Sequence, residues 1–207
     1  MQDPMYVRTT YATGDPARID AALDGLRSEA PGLLQAQAGF RRFGLFADRD
    51  LGKILIGSWW DSDHARAAGD RQLGDRRRAL LAPFAATVAT EEWEAVSYTP
   101  APQLGPGAGM RMGRLEFDPS EAEHFADTFV GVGRPKLEAI DGLVGATLFM
   151  NAEAGCALVG TLFRDRTAMA ASRAAQAAVR GESLKVTKVR LVAMEEYELV
   201  AMARPDA

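Results

Sequence analysis

Two adjacent tryptophans, Trp59 and Trp60, are the residues best suited to binding a flat aromatic molecule. Successive side chains of a β-strand point to opposite faces, so one indole should face the helices and any ligand cavity, and the other the opposite side of the sheet. An aromatic wall would stack against a polycyclic ligand, whereas a plain core role is the alternative for either tryptophan. Both are therefore candidates for substrate binding.

Polar side chains near this strand could orient or ionise such a ligand. Arg42, next to Arg41 in a predicted strand, could hold a phenolate or carboxylate, or could instead face solvent or an interface. Tyr11 could donate a hydrogen bond, and His64 lies at the predicted start of a helix, where a surface or capping role is the alternative. Together with Phe43 these residues form the predicted substrate-binding set, and no residue is assigned a catalytic role.

Several other chemistries have no support in the sequence. The two histidines lack HxH or HxxxH spacing, and the single cysteine, Cys156, excludes an intrachain disulfide and a cysteine-based zinc site, so no metal is predicted. There is no Gly-x-Ser-x-Gly elbow, P-loop or dinucleotide fingerprint. A net charge of −4 argues against a nucleic-acid partner. Without a signal peptide or a membrane-spanning run, the sequence predicts a cytoplasmic protein.

An internal repeat organises the elements that must position these residues. Comparing residues 15–68 with residues 118–171, at an offset of 103, gives 14 identities in 54 ungapped positions. Asp15-Pro16 aligns with Asp118-Pro119 in this comparison. Near the ends of the two copies, EEWEAV at 91–96 matches EEYELV at 195–200. We predict two domains, 1–98 and 110–207, joined by a Pro/Gly-rich linker over 99–109.

Each copy predicts the same order of elements. In copy one the pattern indicates a strand from Met5 to Thr13 and a helix that begins at Asp15-Pro16, a favourable N-cap followed by proline at the first helical position. Strands over 39–47 and 53–60, a helix over about 62–87 and a last strand follow. In copy two the second helix covers 166 to about 183. The order is βαββαβ, the ferredoxin-like unit, which places both helices on one face of an antiparallel sheet.

The other face of each sheet should also be covered. Leu55 and Trp59 point to one face of a predicted strand, and Ile54, Ile56 and Trp60 point to the other, so the strand is apolar at both parities. The simplest cover is the sheet of the other copy. The predicted fold class is therefore α+β, with two tandem ferredoxin-like βαββαβ domains forming an intrachain dimeric α/β barrel. This pseudo-dimer could associate further into a homo-oligomer.

The repeated Glu-Glu-aromatic-Glu motif admits two interpretations. Alternating glutamate and apolar residues on a strand usually indicate one wet face and one dry face. The alternative is that one of the carboxylates reaches a pocket or its rim.

A family resemblance follows from these residues. The order of elements, the strand ending Leu55-Ile56-Gly57-Ser58-Trp59-Trp60-Asp61-Ser62 and the following Asp63-His64-Ala65 resemble antibiotic biosynthesis monooxygenase (ABM) domains of the dimeric α/β-barrel superfamily. The resemblance covers nearly the whole chain as two fused domains. It implies an apolar ligand held between the sheet and the helices of a domain.

The resemblance also implies a function. Members of this family include oxygenases that oxidise aromatic polyketides such as anthrones, often without metal or flavin. We expect a monooxygenase that oxidises a hydrophobic aromatic small molecule and needs no cofactor. Two alternatives stay open, a non-catalytic small-molecule-binding protein and a flavin-assisted oxygenase.

Haem degradation, another activity of the family, is not expected. The tryptophan that matches the haem degraders is Trp60, but their haem-ligating histidine would fall at Asp70, and the second copy has Phe163 and Arg173 at these two places. Because copy one holds both tryptophans and His64, we expect the first half to contain the active cavity.

Overall fold

A computed structural model describes residues 4–100 and 104–205, which form two compact units. Unit 1 comprises residues 4–93 together with 198–205, and unit 2 comprises residues 94–197. The predicted domains were 1–98 and 110–207. In the structure, residues 94–98 belong to unit 2 and residues 198–205 belong to unit 1. Part of the predicted linker, 101–103, lies outside the described residues.

Unit 1 contains a twisted antiparallel sheet and two long helices. Its elements in chain order are β1 (Met5–Gly14), α1 (Ile19–Gln35), β2 (Phe40–Asp48), β3 (Lys53–Trp60), α2 (Asp63–Leu81) and the first part of β4 (Ala85–Tyr98). β3 lies between β1 and β2 and is antiparallel to both. β2 also pairs with residues 198–203, the end of the last strand of the chain.

Unit 2 repeats this order of elements with more irregular helices. The elements are β5 (Gly109–Phe117), α3 (Ala122–Thr128), α4 (Arg134–Glu138), β6 (Leu143–Asn151), β7 (Cys156–Phe163), α5 (Arg166–Ala171), α6 (Arg173–Val186) and β8 (Val189–Ala203). β7 lies between β5 and β6, and β6 also pairs with residues 94–98 of β4. The predicted α+β class with two tandem βαββαβ modules is confirmed.

The two copies begin their first helices in the same way. Asp15 accepts a hydrogen bond from the Ala17 amide (3.0 Å), and Asp118 accepts one from the Ser120 amide (2.9 Å). A short 3₁₀ turn opens each helix after these aspartates. The Asp-Pro pairs thus mark helix starts, as the sequence predicts, because the proline at the first position has no amide to leave unsatisfied.

Two predicted helix boundaries were wrong. The helix predicted over 62–87 ends at Leu81, because Pro83 has no amide N–H to continue the helical hydrogen bonds, and the chain then enters β4. The helix predicted over 166–183 is broken at Ser172 and continues to Val186.

Candidate functional site

Unit 2 contains a cavity between its sheet and its helices. It encloses about 600 Å³ of empty space, part of which opens to solvent. Most of its walls are apolar. The apolar lining side chains are Leu115, Phe125, Phe129, Leu137, Val159, Val179, Leu184, Leu191 and Met194. The cavity is therefore suited to a hydrophobic ligand.

Unit 1 contains a corresponding cavity with about 490 Å³ of empty space, part of which is also open to solvent. Nine of its lining positions match lining positions of the unit 2 cavity at the repeat offset of 103. These pairs are Arg8/Arg111, Thr10/Gly113, Leu26/Phe129, Ala30/Gly133, Leu34/Leu137, Ile56/Val159, Leu73/Gln176, Arg77/Arg180 and Leu80/Ser183. The two cavities are thus copies of one feature.

A buried arginine lies on the wall of the unit 2 cavity. Arg111, in β5, is 3% exposed. Its Nε donates to Glu196 Oε1 (2.8 Å). One terminal nitrogen donates to Ser172 Oγ (3.0 Å) and to the side-chain oxygen of Gln176. The other terminal nitrogen donates to the Met169 main-chain oxygen (2.6 Å) and lies 2.7 Å from Glu196 Oε1. All five of its N–H groups therefore have an acceptor.

The equivalent residue in unit 1, Arg8, is also 3% exposed but has a different set of partners. Its terminal nitrogens lie 3.0 Å from Glu92, 3.0 Å from Asp70 and 3.3 Å from the Arg66 main-chain oxygen. Its Nε is buried without a hydrogen-bond partner among the described residues. A glutamate and a main-chain oxygen of the second helix are thus common to both arginine sites.

The repeated glutamate motif supplies the carboxylates of these sites. Glu92 and Glu196 occupy the second position of EEWEAV and EEYELV, and each pairs with the buried arginine of its unit. The aromatic residues that follow, Trp93 and Tyr197, are buried. The buried aromatic residues beside less buried glutamates fit the alternation of faces. Each carboxylate binds an arginine of the cavity wall but does not line the cavity itself, so a direct role in a pocket stays a prediction.

Arginine partners lower the pKa of both glutamates. For Glu196, the hydrogen bond from Arg173 is the main cause of the lower pKa, and Arg111 adds to it against the effect of burial. For Glu92, burial acts to raise the pKa, but hydrogen bonds from Arg66 and Arg8 outweigh it, so the net change is downward. Both carboxylates are held in the ionised form.

The second arginine of each cavity distinguishes the two units. In unit 1, Arg77 donates to Asp70 (2.7 Å), the same carboxylate that contacts Arg8. In unit 2 the position of Asp70 is occupied by Arg173, and the equivalent arginine, Arg180, has no hydrogen bond or ion pair with any residue that the structure describes. The two cavities therefore present different charges to a ligand.

The predicted substrate-binding residues do not form one site. Phe43 and Trp60 point toward the helices of unit 1, but only Phe43 lines the unit 1 cavity. Trp60 is 1% exposed and packs edge-on against Phe40 (5.8 Å between ring centroids), with its Nε1 donating to Ser58 Oγ (3.1 Å). Its ring also lies against Gly69 of α2. Trp60 thus has the core role that was its alternative interpretation.

The remaining predicted residues lie elsewhere in unit 1. Trp59 and Arg42 are paired across β3 and β2 on the sheet face opposite the helices, and Tyr11 lies on that face opposite Leu55. His64 is exposed at the start of α2. A ligand role for these residues stays a prediction.

Sequence analysis missed the arginine sites because a single basic residue in a strand has no recognisable pattern. Extending the repeat comparison to the first strand would have identified them, since Arg8 and Arg111 are identical at the same offset of 103.

Among the described residues, no group of three or more His, Cys, Asp or Glu side chains could hold a metal ion. No helix in the described ranges is long and apolar enough to cross a membrane.

Comparisons with known proteins give weak sequence similarity and a clear fold match. No family model matches the chain. The uncharacterized proteins Rv2557 and Rv2558 of Mycobacterium tuberculosis are 24% and 26% identical to it, over 94% of this chain and 84% and 83% of their own lengths.

Solved structures match nearly the whole chain. An anthrone oxidase-like protein covers 100% of this chain and 95% of its own, with a TM-score of 0.69 and 14% identity. A ferredoxin-fold protein from Listeria monocytogenes related to antibiotic biosynthesis monooxygenases covers 97% and 96%, with a TM-score of 0.55 and 10% identity. A monooxygenase-like protein from Listeria innocua covers 93% of each chain, with a TM-score of 0.54 and 9% identity. The chain therefore has the ABM-like ferredoxin fold in its doubled form.

Proposed function

We propose that the protein is an ABM-like monooxygenase that oxidises a hydrophobic aromatic small molecule in the cavity of unit 2. The observation that carries the proposal is this cavity, which is walled by apolar side chains including Phe125 and Phe129 and has a cationic residue, Arg180, among its lining residues. Such a site can exclude water from an aromatic ligand and favour its anionic form. The location differs from the first-half cavity expected from the tryptophans.

The chemistry suits an aromatic substrate with an activated methylene group. Oxidation of such a group by oxygen, R₂CH₂ + O₂ → R₂C=O + H₂O, balances without an external reductant, because the substrate supplies all the electrons. Once deprotonated, the substrate can pass an electron to oxygen. The protein then has to hold the ring system in place, exclude water and stabilise the anion.

Oxygen uptake with a panel of anthrones and naphthols tests this proposal. We expect uptake with at least one anthrone and formation of the corresponding ketone. Binding without uptake, even after reduced flavin is added, would contradict the proposal and favour a non-catalytic binding protein. Uptake that requires reduced flavin would identify a flavin-assisted oxygenase.

A matched pair of cavity-filling variants tests the location. Val159→Phe fills the unit 2 cavity, and Ile56→Phe fills the unit 1 cavity from the equivalent position. We expect Val159→Phe to lower uptake about tenfold or more by displacing the substrate, while Ile56→Phe leaves it within about twofold of wild type. Thermal melting controls for folding, and Met194→Trp fills the unit 2 cavity from a more exposed position. A loss of uptake in Ile56→Phe but not in Val159→Phe would instead indicate that the active cavity is the one in unit 1.

A further inference from the structure

We infer that the unit 2 cavity selects an apolar molecule that carries one anionic oxygen group, a carboxylate or phenolate, and that Arg180 is the residue that binds this group. The inference takes its site from the proposed function, because it assumes that the same cavity binds the substrate. It does not depend on the reaction that follows.

The other polar residues of the cavity already have partners. Gln176 accepts from Arg111 and donates to Thr161 Oγ1 (2.7 Å). Ser183 donates to the Val179 main-chain oxygen (3.0 Å), and Thr187 donates to the Ser183 main-chain oxygen (2.9 Å). Each of these side chains therefore already has a hydrogen-bond partner within the protein.

Arg111 is also unavailable to a ligand. Its five N–H groups are taken up by Glu196, Ser172, Gln176 and the Met169 main-chain oxygen. Its guanidinium carbon lies 5.6 Å from the centre of the Phe163 ring, which covers one face of the charged group. A ligand anion would have to displace several charge-assisted hydrogen bonds to reach it.

Arg180 is the exception among the lining residues. It lies on α6, is half-buried, and has no hydrogen bond or ion pair with any residue in the described ranges. A guanidinium beside apolar walls has lost part of its hydration, and an anionic oxygen restores the interaction better than a neutral ligand can. An apolar molecule with an anionic group satisfies both the walls and this cation.

In the unit 1 cavity, the arginine equivalent to Arg180 is neutralised by a carboxylate. Arg77, the counterpart of Arg180, donates to Asp70, which also lies 3.0 Å from Arg8. In unit 2 the counterpart of Asp70 is Arg173, and this arginine is bound to Glu196 (2.6 Å). The replacement of an acid by a base therefore removes the carboxylate that binds the equivalent arginine in unit 1.

The helix opposite Arg180 also differs between the units. Residues 26–30 of unit 1 lie within the continuous helix α1, whereas the equivalent residues Phe129–Gly133 form a π-helical turn. Both ends of this turn, Phe129 and Gly133, line the unit 2 cavity. Single π turns of this kind recur at functional sites, since they displace side chains from the regular helical positions. The turn is a second difference between the units, and it lies in the wall of the cavity that contains Arg180.

Isothermal titration with 2-naphthoate and its neutral analogue 2-naphthalenemethanol tests the inference. We expect wild-type protein to bind the naphthoate more tightly than the neutral analogue. Arg180→Gln should weaken naphthoate binding about tenfold or more and leave the neutral analogue within about twofold. Arg180→Lys should restore part of the affinity, because it keeps the charge. 2-Naphthol, titrated below and above its own pKa, extends the test to phenolates.

Arg77→Gln is the matched control, and we expect it to leave naphthoate binding unchanged. Naphthoate binding to Arg180→Gln at wild-type affinity, or an equal loss in Arg77→Gln, would overturn the inference. A charge-selective site without oxygen uptake would support the inference and contradict the proposed function. Oxygen uptake that Arg180→Gln leaves undiminished, with no preference for anions, would do the opposite.

Discussion

The cavities of unit 1 and unit 2 are lined from equivalent positions, but their charges differ. In unit 1 the lining residues Arg8 and Arg77 and the neighbouring Arg66 are matched by three carboxylates, which belong to Asp63, Asp70 and Glu92. In unit 2 one carboxylate, that of Glu196, pairs with both Arg111 and Arg173, and Arg180 has no ion pair with any residue of the described part of the chain.

Some contacts of these arginines are common to both units, and others differ between them. Both keep a buried arginine on the first strand, a glutamate on the last strand and a main-chain acceptor on the second helix. These shared contacts join the sheet to the helices, so they serve the fold. The remaining contacts of Arg8 and Arg111 differ, and so do those of Arg77 and Arg180. The difference between Arg77 and Arg180 is the one that favours an anionic ligand in the unit 2 cavity.

Removing the buried arginines should produce the largest effects. Arg111→Ala deletes five satisfied N–H groups and leaves Gln176 and Ser172 without a donor, so we expect a loss of about 4 kcal/mol in the free energy of unfolding. Arg8→Ala should cost about 2 kcal/mol, because Arg8 already has a buried Nε without a partner. Urea denaturation measures both values. An equal or larger loss in Arg8→Ala would contradict the contrast between the two sites.

Packing of the second helix should produce the next largest effect. A Cβ at Gly69 would lie 2.4 Å from the Trp60 ring, so we expect Gly69→Ala to destabilise the protein by about 2 kcal/mol. The equivalent position in unit 2 is Ser172, which accepts a hydrogen bond from Arg111, and the counterpart of Trp60 there is the smaller Phe163. Ser172→Ala should cost about 1 kcal/mol through the lost hydrogen bond.

The double variant Trp60→Phe with Gly69→Ser checks this explanation by copying the unit 2 pair into unit 1. It should be more stable than Gly69→Ser alone, since the smaller ring makes room for the serine. If the two substitutions are additive in thermal melting, ring size does not explain the difference between the copies.

The parts of the fold that depend on local sequence could be predicted. Hydrophobic periodicity and the Asp15-Pro16 and Asp118-Pro119 pairs identified the elements and their order, because strand alternation and helix capping are set by neighbours along the chain. The turn at Gly52 is of the same kind: its φ of 60° favours glycine, and a Cβ there would meet the Gly14 carbonyl oxygen at 2.3 Å.

The parts that depend on distant partners could not be predicted. Nothing local shows that β2 pairs with residues 198–203, or that residues 94–98 pair with β6. The large aromatic tryptophans were candidates for ligand binding, yet Trp60 packs in the core. A single arginine on a helix, such as Arg180, has no recognisable pattern in the sequence. Its importance depends on the absence of an acid at position 173, which the comparison of the two folded copies reveals.

The smallest expected effect concerns acid stability, and it compares the two glutamates. The pKa of Glu196 is lower in the folded protein than in the unfolded chain, because Arg173 and Arg111 bind its ionised form. Its contribution to stability is therefore complete above the ordinary glutamate pKa of about 4.3 and is lost as pH falls through the lower folded value.

Glu196→Gln should flatten the decline in unfolding free energy between about pH 5 and pH 3. Glu92→Gln should flatten it less, since Glu92 is 52% exposed against 28% for Glu196 and solvent screens its ion pairs more strongly. Urea unfolding across this pH range gives both slopes, and a Glu196→Gln curve parallel to wild type would mean that the Arg111 site binds its carboxylate no better than water does.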